Sequence, residues 1–263
     1  MEVPVLSGPA CHRCGDDLDS PAKELSGSQL CRACRLAPPA FERAVAYAFY
    51  QDRMRGAIHA LKYDHMHSAA RRMGRMLAQA IATLAAEAPA EMLVVPVPLH
   101  RARQAERGFN QARLLAMQAL KALRASHPEW RLTIAPAALM RLRATESQAS
   151  LTPRERRLNV RGAFSVSDPT AVKDRHILLI DDILTTGATA RAAALSLKRA
   201  GAATVWVATL ARARRIHRGT VPADINNTGF APSDTQGSTA PHDTKAGPSE
   251  SASVDSFINH PSF

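Results

Sequence analysis

Residues 176–190 read H-I-L-L-I-D-D-I-L-T-T-G-A-T-A, and no other stretch restricts the fold as tightly. Ile177, Leu178, Leu179 and Ile180 form an unbroken apolar run, which suits a strand covered on both faces, as in a parallel sheet flanked by helices. Ligands of open α/β sheets collect at the carboxyl ends of such strands. Asp181 and Asp182 fall at that end. The turn that follows, Thr185, Thr186, Gly187, Ala188 and Thr189, carries three hydroxyls and no bulky side chain, and leads into a helix predicted over 190–198. Free amides and a helix dipole then point at one spot, which attracts a phosphate. The pattern reads as a strand ending at a sugar-phosphate site. The alternative is a Rossmann-like strand whose Asp pair is a solvated strand end or binds only a metal ion.

A chain of 263 residues, 46% of them hydrophobic, is long enough to bury a sizeable core in one or two domains. Its net charge of +11 is unevenly spread. Residues 219–263 hold Asp224, Asp234, Asp243, Glu250 and Asp255 against Lys245 alone, which leaves +15 on the first 218 residues. So basic a body implies an anionic partner, either a phosphorylated small molecule or a nucleic-acid backbone. No apolar run reaches the length of a membrane span, and the start Met1-Glu2-Val3-Pro4 lacks the pattern of a signal peptide, so a cytoplasmic location is expected.

All four cysteines fall in the first 34 residues, as Cys11-x-x-Cys14 and Cys31-x-x-Cys34. In a reducing compartment this spacing predicts a tetrahedral Zn²⁺ site, since each pair is a tight turn presenting two thiolates. Two disulfides are the alternative, disfavoured in a chain with no export signal. Four thiolates close the shell, so the metal is expected to be structural, and His12 to lie at the surface. With few large apolar residues before Phe41, this segment depends on its metal to fold.

Beyond Pro38-Pro39, residues 45–50 read as a short strand and 52–62 as a helix. Ala70, Met73, Leu77, Ile81 and Leu84 recur at helical spacing, with Arg71, Arg72 and Arg75 on the other side. Residues 92–98 form a second buried strand, followed by a basic loop over 99–110 containing Arg101, Arg103 and Arg107. A helix then starts near Asn110 with Ala112, Leu115, Ala119 and Leu123 as its inward stripe. The polar stretch 140–164 precedes the acid-bearing strand. Within it, Thr152-Pro153-Arg154-Glu155 is a helix start with Thr at the cap and Pro in the first turn. A last strand is expected over 204–210. The tail from Gly219, rich in Ser, Thr, Pro, Gly and Asn, reads as disordered.

The acid pair with its Thr/Gly turn resembles the phosphoribosyl pyrophosphate (PRPP) motif of type I phosphoribosyltransferases. Taken with the cysteine pairs, the run P-V-P-L-H-R-x-R-x-x-x-R-G-F-N-Q and the R-x-x-x-T-x-x-Q-x-x-L-T segment from Arg141, it closely resembles the ComF family over about residues 11–212. The resemblance implies a zinc knuckle over 1–40, a phosphoribosyltransferase-like α/β domain with a mostly parallel sheet and flanking helices over 41–218, and the tail over 219–263. It also implies a role in natural competence, the import of single-stranded DNA, with DNA-uptake proteins as partners. In that fold Asp181 and Asp182 hold the ribose hydroxyls and Thr185, Thr186, Gly187, Ala188 and Thr189 cradle the 5′-phosphate. Arg101 and Arg103 grip the pyrophosphate, and Arg141, Arg143, Gln148 and Arg156 lie on the loop that closes over PRPP.

Two departures bear on catalysis. Glutamine-dependent amidophosphoribosyltransferases use an amino-terminal cysteine nucleophile, which this chain lacks. Purine phosphoribosyltransferases commonly have an Asp where this chain has Thr185, which cannot act as a general acid or base near neutral pH. The expectation is therefore a PRPP-binding protein that handles incoming single-stranded DNA. The alternative is an active transferase, displacing pyrophosphate from PRPP with Mg²⁺ onto an unidentified acceptor. Aromatic residues for base stacking are scarce in the basic segments, Phe109 being the one in the loop after the second strand.

Overall fold

The computed structural model describes residues 10–18, 29–63, 67–144 and 153–214. The predicted Gln148 and the Thr152 cap lie outside these, as does the tail 219–263. The described chain is built as α1 (Arg32–Leu36), β1 (Ala44–Phe49), α2 (Asp52–Tyr63), α3 (His67–Ala82), β2 (Glu91–Pro96), α4 (Arg101–Arg107), α5 (Gln111–Ser126), β3 (Arg131–Ile134), β4 (Leu139–Arg141), α6 (Pro153–Asn159), β5 (Phe164–Val166), α7 (Pro169–Val172), β6 (His176–Leu184), α8 (Ala188–Arg199) and β7 (Thr204–Arg212). Five strands form one parallel sheet in the order β1-β7-β6-β2-β3. The short β4 and β5 pair antiparallel as a separate ribbon.

Alternation along the central strands divides the core in two. Leu178, Ile180, Val94, Trp206 and Ala208 face a cluster filled by α2, α3 and α5. Ile177, Leu179, Val95, Val205 and Val207 face a second cluster filled by α8, Phe164 and the four cysteines. The α3 stripe of Ala70, Met73, Leu77 and Ile81 is buried, as is the α5 stripe of Ala112, Leu115, Ala119 and Leu123. These two helices meet at Gly74, where a Cβ would lie 2.2 Å from Gln118 Cβ, so no larger residue permits the approach.

The strand order sets the position of any ligand crevice. From β2 the chain crosses through α5 to β3 at one edge, whereas from β6 it crosses through α8, on the opposite face, to β7. Connections thus leave the neighbouring strands β2 and β6 in opposite directions. That is a topological switch point, and the space beyond the carboxyl ends of β2 and β6 is where open α/β sheets bind ligands.

Candidate functional site

Pairing between β2 and β6 ends at Pro96 with Ile180, while β6 continues beside β7 as far as Leu184 with Arg212. The acid pair occupies the first residues of β6 beyond its β2 neighbour, at the mouth of the switch point. The two carboxylates differ in setting. Asp181 is half-buried and accepts the Asp182 amide at 2.9 Å through Oδ1, whereas Asp182 is only 6% exposed.

Next to them the predicted turn is present and tighter than expected. Gly187 has φ +74°, the left-handed region that a residue with a Cβ enters only at a cost, and α8 begins one residue later, at Ala188. Thr186 Oγ1 accepts the Ala188 amide at 3.3 Å. Thr185, Thr186 and Thr189 are half-buried, while Gly187 and Ala188 are buried. The first-turn amides of this 12-residue helix have no carbonyl within the helix to bond, so they and the helix dipole favour an anion at the turn.

The basic segment after β2 is helical over Arg101–Arg107, not a loop. It contains no buried residue and so carries no apolar periodicity to read. Its caps hold it: His100 Nδ1 accepts the Ala102 amide and Gly108 closes the end at φ +73°. Helical geometry separates the two predicted pyrophosphate ligands, since residues two apart point roughly 200° away from each other. Arg101 is exposed, whereas Arg103 and Arg107 share the half-buried face. Arg107 reaches Gln111 Oε1 at 3.4 Å, and Asn110, which caps α5, anchors that helix to the end of β2 through Val97 O at 3.0 Å.

Of the residues expected on a closing loop, Arg141 belongs to β4 instead. Its guanidinium lies over the Phe164 ring at 5.5 Å from the centroid. Burial lowers its pKa from the usual value, Arg103 acts in the same direction, and the carboxylate of Asp181 opposes both. Asp181, Arg103 and Arg141 therefore share one electrostatic neighbourhood, although 78 residues separate Arg103 from Asp181 in sequence. Arg143 donates to the carbonyls of Asn159 (3.1 Å) and Arg161 (2.9 Å), tying the exit of β4 to the end of α6. Arg156 is half-buried on α6. A separate hollow of about 210 Å³, lined by Leu123, Arg124, His127, Trp130 and Arg131, opens where α5 meets the amino end of β3, away from the carboxyl ends of the strands.

Cys11, Cys14, Cys31 and Cys34 are buried, with their sulfurs within 4.8 Å of one another. A tetrahedral zinc with bonds of about 2.3 Å places its sulfurs about 3.8 Å apart. Cys14 and Cys31 stand 3.7 Å apart, which matches that edge and is far beyond a disulfide bond. Hydrogen bonding to Cys11 and to Cys34, then burial, pushes the Cys14 thiol upward; hydrogen bonding to Cys11, with burial, pushes Cys34 up to about 12, while Cys11 is held low by the thiols of Cys14 and Cys34. Raised values favour the neutral thiols unless a cation is bound, so holding all four as thiolates would need one, and the donor set fits a metal such as zinc. His12 is exposed and pairs with Glu87 at 3.2 Å.

Two contacts to the cysteines of this cluster are not legible from sequence. Arg212 donates to Cys14 Sγ at 3.8 Å and to Asp16 Oδ1 at 2.9 Å, both side chains being 2% exposed. Arg191, in the first turn of α8, donates to Cys34 Sγ at 3.6 Å and to Ala37 O at 2.6 Å. The contacts span 157 to 198 residues, so no local spacing announces them.

A family model described as "Phosphoribosyl transferase domain" matches residues 110–237. The chain is 36% identical over 186 residues to the DNA utilization protein YhgH of Escherichia coli O157:H7, covering 69% of this chain and 77% of that one. It is 29% identical over 212 residues to Competence protein F of Haemophilus influenzae (80% and 87% covered), and 40% identical over 121 residues to Competence protein ComFC of Bacillus subtilis (46% and 44%).

Proposed function

The chain belongs to the ComF family, and from that premise we propose that it binds Mg²⁺-PRPP at the mouth of β2 and β6 and acts, in the cytoplasm, on single-stranded DNA taken up during natural transformation. The observation that carries the PRPP reading is the position of Asp181 and Asp182, just past the end of β2 at the switch point and three residues before the left-handed Gly187 turn that opens α8, with Arg141 electrostatically coupled to Asp181 and Arg103. One carboxylate for sugar hydroxyls, two guanidinia for pyrophosphate oxygens and a helix terminus for a terminal phosphate together match a phosphorylated pentose bearing a second anionic group. In this reading Asp181 and Asp182 orient the ribose, Thr185 to Thr189 hold the 5′-phosphate, and Arg103 and Arg141 the pyrophosphate, with Arg101 at the rim. For Arg143, Gln148 and Arg156 the proposed role is in closure over bound PRPP. Mg²⁺ supplies charge neutralisation on the pyrophosphate oxygens.

The DNA reading draws on the names of the relatives, on the +15 charge of residues 1–218 and on the exposed Arg71, Arg72 and Arg75 of α3. The proposed organisation is a zinc knuckle over 1–40, the phosphoribosyltransferase-like domain over 41–218 and the tail over 219–263, with DNA-uptake proteins as partners. Isothermal titration with Mg²⁺-PRPP tests the first half: the wild type binds, and Asp181→Asn with Asp182→Asn abolishes binding while the protein stays folded. Undiminished affinity in that double variant refutes the assignment. Labelled single-stranded DNA, titrated with and without Mg²⁺-PRPP, tests the second. An affinity altered by PRPP without pyrophosphate release supports a regulated binder, whereas acceptor-dependent release makes the protein a transferase.

A further inference from the structure

The phosphate turn is bracketed by two guanidinia that both end on the cysteine cluster. Upstream, Leu184 is the last residue of β6 before Thr185. Its register partner is Arg212, and its carbonyl accepts the Ala213 amide at 3.0 Å. Arg212 turns inward to Cys14 and Asp16. Downstream, Arg191 closes the first turn of α8, its amide donating to Gly187 O at 2.9 Å, and its side chain bonds Cys34 and Ala37 O. Each guanidinium takes the second cysteine of a different C-x-x-C pair.

Charge explains why a metal matters to this bracket. Arg212 is 2% exposed, and among the described residues its Nε and Nη1 have no hydrogen-bond partner, so within that set Asp16 alone does not satisfy it. A buried cation in that state is costly unless a further negative charge lies beside it. Four thiolates around one divalent ion carry a net −2, and they lie where Arg212 and Arg191 point. Metal loading would therefore set the position of both guanidinia, and with them both ends of the turn between Leu184 and Arg191.

We infer that Arg191 and Arg212 are positioning residues through which the metal-bound cysteine cluster holds the Thr185–Thr189 turn in its phosphate-binding shape, so that metal retention and PRPP binding are thermodynamically linked. This rests on the PRPP reading for its ligand but not for its structural half. Linkage is reciprocal: if loading the cluster improves PRPP affinity, bound PRPP must strengthen retention of the metal by the same factor.

The test uses the zinc-loaded full chain, with Arg191→Ala and Arg191→Lys beside the wild type. Equilibrium zinc affinity, from competition with a colorimetric chelator, is measured with and without saturating Mg²⁺-PRPP, and amide exchange of residues 186–190 is measured with no PRPP present. Saturating PRPP should tighten zinc affinity about five-fold or more in the wild type. Arg191→Ala should keep its zinc yet lose that tightening, with faster exchange at 186–190, and Arg191→Lys should restore part of both. Wild-type zinc affinity that ignores PRPP, in a protein that calorimetry shows to bind it, overturns the inference without help from any variant. Wild-type exchange rates in zinc-loaded Arg191→Ala overturn it as well. If calorimetry finds no PRPP binding at all, the functional reading falls, and the exchange measurement alone decides the structural one.

Discussion

Replacing Arg141 by Met separates the cost of keeping a cation at the site from its benefit to ligand binding. The side chain is half-buried, lies over Phe164 and shares its surroundings with another guanidinium, and its lowered pKa states that the protein holds this charge against desolvation. Met retains the length and apolar contact of the stem and removes the charge. The lost cation–π contact costs about 0.5–1 kcal/mol. Relief of desolvation and of repulsion from Arg103 offsets this, and loss of the attraction to Asp181 opposes the relief. The net change in stability should stay within about 1 kcal/mol, a shift of roughly 4 °C or less in Tm for a domain of this size. Binding should respond quite differently. A charge-assisted hydrogen bond is worth about 1.5–3 kcal/mol, so Mg²⁺-PRPP affinity should fall roughly 10- to 150-fold. Calorimetric titration and thermal melting of the same preparation read both numbers, and exposed Arg101→Ala serves as the control, with less than about a three-fold loss. PRPP affinity within two-fold of wild type in Arg141→Met would falsify the placement of this residue at the anion site. A Tm drop well beyond 4 °C would show that its role is structural.

Other perturbations address the scaffold and the charge. Gly74→Ala gains helix propensity but forces a Cβ to within 2.2 Å of Gln118 Cβ, so chemical denaturation should show a net loss of about 1–3 kcal/mol; a stabilised variant would mean that α3 and α5 separate freely. Asp168 caps α7 by accepting the Thr170 hydroxyl (2.6 Å) and amide (2.9 Å), with the hydroxyl the larger cause of its lowered pKa. A depressed folded-state pKa contributes stability that is present above the unfolded value near 4 and lost as pH falls through the folded value. The Tm gap between wild type and Asp168→Ala should therefore be open at neutral pH and narrow on acidification; a constant gap would contradict the charge-based account. Replacing Arg71, Arg72 and Arg75 together by Ala should flatten the salt dependence of single-stranded DNA binding by about 2 in the log–log slope if all three meet phosphates. An unchanged slope places the DNA on another face.

What could be read from the sequence depended on how locally each feature is encoded. The strand of the acid pair was legible because Ile177 to Ile180 are buried on both faces and the carboxylates follow at once. The helical stripes of α3 and α5 were legible because each packs a single face. Helix α4 escaped notice because nothing in it is buried, and its two caps, His100 and Gly108, are individually ordinary residues. The β4–β5 ribbon escaped because two three-residue strands are brought together across more than twenty residues. That ribbon moves Arg141 from an expected loop to a strand, and so, in the proposed reading, from the closing segment to the fixed part of the site.

The cysteine cluster carries the same distinction between local motif and distant consequence. Spacing alone is enough to foresee four clustered sulfurs that could hold a metal, because each pair spans only four residues. Its relation to the phosphate turn depends on Arg191 and Arg212, which reach the cluster from the far end of the chain. The cysteines also pack in the same apolar cluster as Phe41, Ala44, Ala190, Ala193 and Val207, so residues of the knuckle help to cover the face of β6 and β7 on which α8 lies. Four thiolates around one divalent ion leave a net −2, so a loaded cluster needs nearby cations, and Arg191 on α8 and Arg212 on β7 reach it from outside its own segment. Drawing them from the elements beside the Thr185–Thr189 turn is accounted for if the outer surface of the metal site serves as the support against which that turn is set.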